Sequence, residues 1–471
     1  MRFAKDHPLL MPGIVLHISG FVSHKDAISC ARVCKAWNDL FSSVVWHSID
    51  FKSQKAFINV DSTAVRKYGH HIRVIKDVCK VSHLQALHNP SVCRLSTLSI
   101  LLSPEVSFQV YCGDLLRRNA ATITNLDIRA QDQSSTAFPF DAISLPPGSQ
   151  TTSQISVLEI HGLPMTRDGF STLLKMCPVL KTLHIAKTTL FFSPYPDYYQ
   201  HTGLVELKAP LEQVFGLNLN STSSTDLSIL VHFPQLRTLH TWYLEAPPSL
   251  PFGDMKTKVV QCCPLLKELT LATNVVVTTS LLTQTFRSLS RITVKKISSS
   301  VIMAILAHQG TLQDITCFDR NKGYFEQDDI LVLDDDDEDE RPLSGWELQL
   351  IPQTCSRLNK MILPCYDMDM DEIEATPWAC TELEALYIRI RDLHADEKID
   401  RVVYLLKSYR STRKRVESLV RTPLPPGVIS NEVMKVVIPG DSIEERVARH
   451  LARFEKLQTV WLGNKIRNTK P

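Results

Sequence analysis

Aliphatic residues recur along this chain in a short phrase, L-x-x-L-x-I, in which the three marked positions are aliphatic with occasional exceptions. It reads LSTLSI at 95–100, ITNLDI at 123–128, ISVLEI at 155–160, LKTLHI at 180–185 and LVELKA at 204–209. It returns as LRTLHT at 236–241, LKELTL at 266–271, LSRITV at 289–294 and LQDITC at 312–317. LNKMIL at 358–363, LEALYI at 383–388, VMKVVI at 433–438 and LQTVWL at 457–462 bring the count to 13. Successive centres are mostly 23 to 32 residues apart, with longer gaps of 46 and 50. The last three residues of a phrase alternate inward, outward, inward, as a short strand with one buried face requires. Helical stretches closed by proline precede several phrases: FSTLLKMCP before LKTLHI, LSILVHFP before LRTLHT, KTKVVQCCP before LKELTL. Pro178, Pro234 and Pro264 force those helices to stop. A strand and a helix at this period predict an α/β solenoid, whose units bury their apolar faces only by stacking on neighbours.

The first 50 residues carry a different period. Pro12 opens a helix at its first turn, where a missing N–H costs little. Ile14, Val15, Ile18, Phe21 and Val22 form its apolar side. Ser23 with Asp26 makes a box-like start to a second helical stretch. There Ala27, Ile28, Ala31, Val33, Cys34 and Trp37 supply the apolar face, and Leu40 and Phe41 extend it. A helical unit of about 40 residues buries little surface alone. Phe21, Trp37 and Trp46 are more than such a core absorbs, so some are expected at an interface, where aromatic anchors are effective. The segment 51–94, with GHHIRVI at 69–75, links this module to the repeating body at 95–471.

Charge and composition narrow the partners. The chain has 52 basic and 50 acidic side chains, a formal charge of +2, and 44% apolar residues. This gives no field-driven case for nucleic acid or an anionic membrane. No long apolar stretch stands near the N-terminus, where His17, His24, Lys25 and Asp26 interrupt it, and no dense disulfide framework is present. A reducing compartment, cytoplasmic or nuclear, is therefore expected. Cys30, Cys34, Cys177, Cys262 and Cys263 lie in apolar runs and read as small buried hydrophobes. Residues 131–154, rich in Gln, Ser, Thr and Pro, read as a surface loop. The insertion at 318–345 contains DDDDEDE at 334–340, a run of like charge that must stay solvated. It reads as a solubilising loop, or else as a docking patch for a basic target. KSYRSTRKRVESLVR at 407–421 is basic and helix-prone, and the Pro-rich TPLPPG follows it.

Catalytic signals are thin. The chain lacks HExxH, paired Cys/His zinc spacing, GxSxG, GxGxxG and GxxxxGK[ST]. His70-His71 alone does not define a metal site. The expectation is a chain with no catalytic residues, no metal, no cofactor and no small-molecule substrate.

The order MPxxVLxxIxxFVxxxDAISCARVCKAWNDLFSSxxxW resembles the F-box family, here over residues 5–50. Met11-Pro12 stands where that family has Leu-Pro. Ile14, Val15 and Ile18 match its first-helix apolar positions, and Asp26, Val33-Cys34, Trp37, Leu40 and Trp46 match the later ones. Gly13 replaces a common acidic residue and Ala27 a common leucine. With the repeating body, the chain is similar to fungal-type F-box adaptors with an irregular leucine-rich-repeat horseshoe, although the usual laddering asparagine is mostly absent. The resemblance implies three N-terminal helices that dock on a Skp-type linker, and through it a cullin, by way of Pro12, Ile14, Val15, Ile18, Val33, Cys34, Trp37 and Leu40. It implies a substrate-recognition adaptor of an SCF-type cullin–RING ubiquitin ligase, with an unknown protein as target. The alternative is a protein-interaction scaffold with no ligase role. Trp46 is expected to pack the module against the first turns of the body. Outward-pointing residues in or beside the strand phrases are the candidate target contacts: His184, Glu206, Lys208, His240, Glu268, Glu384 and Tyr387. The aromatic segment with Tyr195, Tyr198 and Tyr199 is a further candidate anchor.

Overall fold

The structure, a computed structural model, describes residues 11–19, 21–52, 62–130, 153–188, 190–191, 199–210, 229–242, 260, 262–272, 280, 283–284, 286, 288–317, 343–393, 395–421, 442–462 and 465–468. The chain divides into two compact units, Met1–Leu236 and Arg237–Pro471. The phrase at 433–438, the acidic run at 334–340, TPLPPG at 422–427 and most of the loop at 131–154 lie outside the described residues.

The first unit opens with helices α1 (Pro12–Ser19), α2 (His24–Ala31) and α3 (Lys35–Val45). The apolar run from Ala27 to Phe41 is therefore two helices, not one. Cys34 is extended at φ −161°, and the Asn38 amide donates to the Ala31 carbonyl at 3.0 Å, closing the end of α2. Ser23 caps α2 as its sequence suggests, accepting from the Asp26 N–H at 3.3 Å. Three strands follow, β1 (Ser48–Asp50), β2 (Val74–Val78) and β3 (Thr97–Leu102), with α4 (Ser62–Tyr68) and α5 (Val81–Leu87) between them. They pair in parallel, so the ladder starts at Ser48, two strands ahead of the first phrase. Next come α6 (Val106–Asn119), β4 (Asn125–Ala130), β5 (Val157–His161), β6 (Met165–Thr166), α7 (Arg167–Met176), β7 (Thr182–Ala186), β8 (Leu190–Phe191) and β9 (Glu206–Pro210). The short β6 and β8 pair only with each other.

The phrase centres fall in one register. Leu98 pairs with Leu126, Leu126 with Leu158, Leu158 with Leu183 and Leu183 with Leu207, and all five are buried. A two-residue side-chain period makes this register self-selecting, because a one-residue slip would turn every leucine outward. Phe108, Leu115 and Leu116 of α6 and Phe170, Leu173 and Leu174 of α7 fill the space behind the strands.

The second unit repeats the arrangement with β10 (Thr238–Trp242), β11 (Glu268–Leu271), β12 (Arg291–Val294), β13 (Asp314–Cys317), β14 (Lys360–Met368), β15 (Ala385–Ile390) and β16 (Thr459–Leu462), all parallel. The strand β17 (Lys465–Asn468) adds antiparallel to β16. Helices α8 (Ser299–Leu306), α9 (Gly345–Thr354), α10 (Met370–Ala375), α11 (Asp396–Arg421) and α12 (Ile443–Leu451) return between strands. The register runs Leu239, Leu269, Ile292, Ile315, Met361, Leu386, Val460. The 46-residue gap between Ile315 and Met361 thus separates direct neighbours. Leu386 also pairs directly with Val460, so β15 and β16 are neighbours. The basic stretch 407–421 continues the helix α11.

Buried polar side chains tie the turns ahead of the strands. Asn119 accepts from the Leu95 N–H at 2.9 Å and donates to the Val92 carbonyl at 3.1 Å. His201 accepts at Nδ1 from the Gly203 N–H and so donates from Nε2 to the Cys177 carbonyl at 2.8 Å. His308 does the same between the Leu289 N–H and the Thr283 carbonyl. Each ring is thereby fixed as the neutral Nε2–H tautomer. Among the described residues, no helix is long and apolar enough to cross a membrane.

Candidate functional site

Two surfaces of the first unit carry functional character. The first is the N-terminal module. Its core is Ala27 and Phe41, with Val22, Cys30, Ala31, Trp37, Leu40, Val44 and Val45 packed around them. Trp37 lies 5.5 Å from the Phe41 ring. So small a centre leaves apolar side chains in water: Met11 is 48% exposed, Ile14 39%, Ile18 37%, Phe21 82% and Val33 63%. These positions belong to the residue before α1, α1 itself, the turn after it and the turn between α2 and α3. Of the residues expected at the linker, Ile14, Ile18 and Val33 are exposed, while Cys34, Trp37 and Leu40 are half-buried. Pro12 and Val15 fall within α1, and their side chains lie outside the described set. Trp46 stacks on Tyr68 of α4 at 5.3 Å, and the Tyr68 hydroxyl reaches Asn38 Oδ1 at 3.4 Å, tying module to ladder.

The second surface is the outward face of the strands. Lys76, Ser99, Asp127, Glu159, His184 and Lys208 stand one position after the buried centres, on successive strands. A cavity of about 290 Å³ opens over this row, lined by Lys76, Asp77, Ser99, Asp127, Arg129 and Glu159 among others. Asp77 has a positive φ of 55° where the pairing shifts between Ile75 and Val78, an inserted residue that re-aims the strand. Asp127 accepts from the Ser99 hydroxyl at 2.8 Å and holds Arg129 at 2.9 Å.

At one end of the row Glu159, His161 and His184 converge. Glu159 Oε2 lies 3.8 Å from His161 Nε2 and 3.9 Å from His184 Nδ1, and the two rings meet edge to face at 5.0 Å. The His161 imidazole lowers the Glu159 carboxyl below its ordinary value, with burial opposing and His184 and Arg129 assisting. Burial lowers His184 to about 4, reinforced by His161, Lys208 and Arg129 against the pull of Glu159. His184 is therefore neutral at physiological pH.

The other target candidates scatter. Glu206 accepts from Thr182 at 3.3 Å and pairs with Lys208 at 3.3 Å. Glu268 lies in a charge ladder, with Arg291 reaching it at 3.1 Å and Asp314 at 2.8 Å. His240 is half-buried and Glu384 exposed. Tyr387 is 3% exposed because it stacks flat on Trp461, ring centroids 4.2 Å apart. Tyr199 is half-buried and its carbonyl accepts from His232 at 2.6 Å. Tyr195 and Tyr198 lie outside the described residues. Glu159, His161, Asp127 and Arg129 are not marked by the phrase alone, but they are the outward positions of ITNLDIRA and ISVLEIH once the register is known. Burial pushes the thiols of Cys112, Cys177 and Cys380 up to about 12, so they are un-ionised at neutral pH.

No curated protein matches the chain. Residues 12–52 match the F-box-like family, a span that holds all three N-terminal helices and β1. The three-helix module with its exposed apolar rim is an F-box-like domain, and an SCF-type adaptor role in general is what that domain indicates.

Proposed function

We propose that this chain is the substrate-recognition adaptor of an SCF-type cullin–RING ubiquitin ligase, joining a protein target to the Skp-type linker. The observation that carries the reading is the exposed set Met11, Ile14, Ile18, Phe21 and Val33 on an F-box-like domain. An apolar rim on a domain with so small a core favours a partner that removes it from water. The in-register ladder, with helices returning between strands, supports reading the body as an irregular leucine-rich-repeat solenoid that presents the target on its outward strand face. Ubiquitin transfer would belong to the RING subunit and its conjugating enzyme. The adaptor contributes proximity, holding target lysines near the charged conjugate, and needs no catalytic residue of its own. Such an adaptor would work in the cytoplasm or nucleus.

A pulldown of the full chain from a eukaryotic lysate, beside a variant with Pro12→Ala and Ile14→Ala, tests the reading. Recovery of linker and cullin by the wild type, with loss in the folded variant, is the expected result. Absence of linker from both would leave an interaction scaffold with no ligase role.

A further inference from the structure

Glu159 and His161 flank Ile160 on β5, and a strand sends residues two apart to the same face. His184 is the register partner of Glu159 on β7. The three donor atoms all lie within 4.8 Å of one another. The Glu159 contacts, 3.8 Å to His161 and 3.9 Å to His184, exceed hydrogen-bond reach. Tetrahedral zinc bonds of about 2.0–2.1 Å set ligand atoms about 3.4 Å apart, so these side chains need only a small inward rotation to share one ion. His161 Nε2 is a buried atom with no hydrogen-bond partner among the described residues, although the ring as a whole is 18% exposed, and a buried ring nitrogen ordinarily finds a partner.

We propose that Glu159, His161 and His184 form a binding site for one divalent late first-row transition ion, with zinc as the first candidate. Two imidazole nitrogens and one carboxylate oxygen suit zinc, copper, nickel or cobalt, whereas calcium and magnesium favour all-oxygen shells. Nearby cations are held chiefly by other carboxylates: Arg129 by Asp127 at 2.9 Å and 3.1 Å, with Glu159 a weaker partner, and Lys208 by Glu206 at 3.3 Å. Three protein ligands leave a fourth position open. Glu159 also lines the outward cavity, so that position faces the groove, where water or a donor from a bound protein completes the shell. Because the ligands stand on paired strands rather than loops, their backbones are fixed and closing on the ion takes side-chain rotation alone. This inference is independent of the adaptor reading.

The test uses the full chain, stripped with chelator and titrated with zinc alone. One equivalent bound is expected, with cobalt substitution giving the visible bands of a four- or five-coordinate nitrogen–oxygen site. Glu159→Gln and His184→Asn should each weaken binding by more than about 100-fold, beyond the loss that follows removal of an outer hydrogen-bond partner. A His70→Asn, His71→Asn double variant should bind as wild type does. Equal zinc affinity in Glu159→Gln and His184→Asn would overturn the site. So would a wild type that retains no zinc and shows only the cobalt spectrum of the aqueous ion, a result that needs no variant to fold.

Discussion

Replacing Asn119 by leucine removes a side chain that is 0% exposed and holds the turn before β3. Its oxygen accepts from the Leu95 N–H at 2.9 Å, and its amide donates to the Val92 carbonyl at 3.1 Å and the Leu115 carbonyl at 2.9 Å. Leucine keeps the branched outline of asparagine, but its methyls are bulkier than the amide oxygen and nitrogen, so overpacking adds to the loss. The Leu95 N–H and the Val92 carbonyl lose these partners inside the protein, at roughly 1–3 kcal/mol for each buried group left unsatisfied. The expected loss is on the order of 3–5 kcal/mol, against about 0.5 kcal/mol for an ordinary surface change. Hydrogen-exchange mass spectrometry over residues 92–98, with a thermal melt beside it, reads both local and global opening. Exchange there should accelerate by about 100-fold or more, since about 1.4 kcal/mol is a factor of ten. Asn119→Asp separates hydrogen bonding from shape. It keeps the acceptor but turns an oxygen toward two carbonyls, so its carboxyl is held protonated to higher pH than in the unfolded chain. Its deficit should be largest at neutral pH and shrink as pH falls and the acid regains a donor. A leucine variant that melts with the wild type and exchanges at the wild-type rate would refute the account of these turns.

Trp37→Ala takes a half-buried ring off Phe41 in a core built on two fully buried residues. The F-box-like domain should lose about 3 kcal/mol or more, seen as an early transition in a urea melt, whereas Ile14→Ala should leave that transition in place. Arg410 donates to the carbonyls of Leu457 at 2.8 Å and Phe454 at 2.9 Å, bridging α11 to the turn before β16. Arg410→Lys cannot span both carbonyls and should destabilise the second unit by roughly 1–3 kcal/mol, read by exchange at residues 454–462. His450 is buried between Trp378 at 4.8 Å and Phe454 at 5.5 Å, and burial lowers it to about 4, with Arg453 assisting and Glu374 opposing. A folded value below the unfolded one means the unfolded chain takes up the proton first. The contribution is therefore fully present above about pH 6.5 and is lost as pH falls toward 4, by up to roughly 3 kcal/mol. His450→Gln should flatten that limb of the stability profile, and an unchanged profile would contradict the assignment.

The repeating phrase made the strands legible because a two-residue period and one buried face leave a single register, and Leu98 through Leu207 occupy it. The start of the ladder was hidden because the strand at Ser48 is flanked by Trp46 and Phe51 where the phrase has aliphatics, and the strand at Val74 spaces Ile72 and Ile75 correctly but carries one extra residue before Val78. The corner at Val33 and Cys34 was hidden for the opposite reason. Both residues continue a helical apolar period, and only the Asn38 amide on the Ala31 carbonyl shows why the helix stops there. The polar ties do not follow one residue type, because His201 and His308 do at other turns what Asn119 does before β3. The Glu159, His161 and His184 cluster needed the register between two strands, which neither phrase contains alone.

The central claim is that the exposed rim of the F-box-like domain is a docking face. Isothermal titration of the purified full chain with purified Skp-type linker, at several temperatures, tests it most directly. The account predicts saturable binding with a negative heat-capacity change, as burial of apolar surface requires, abolished by Ile14→Asp and Val33→Asp in variants that melt as the wild type does. No heat and no complex with the wild-type chain, or undiminished binding by both variants, would contradict it.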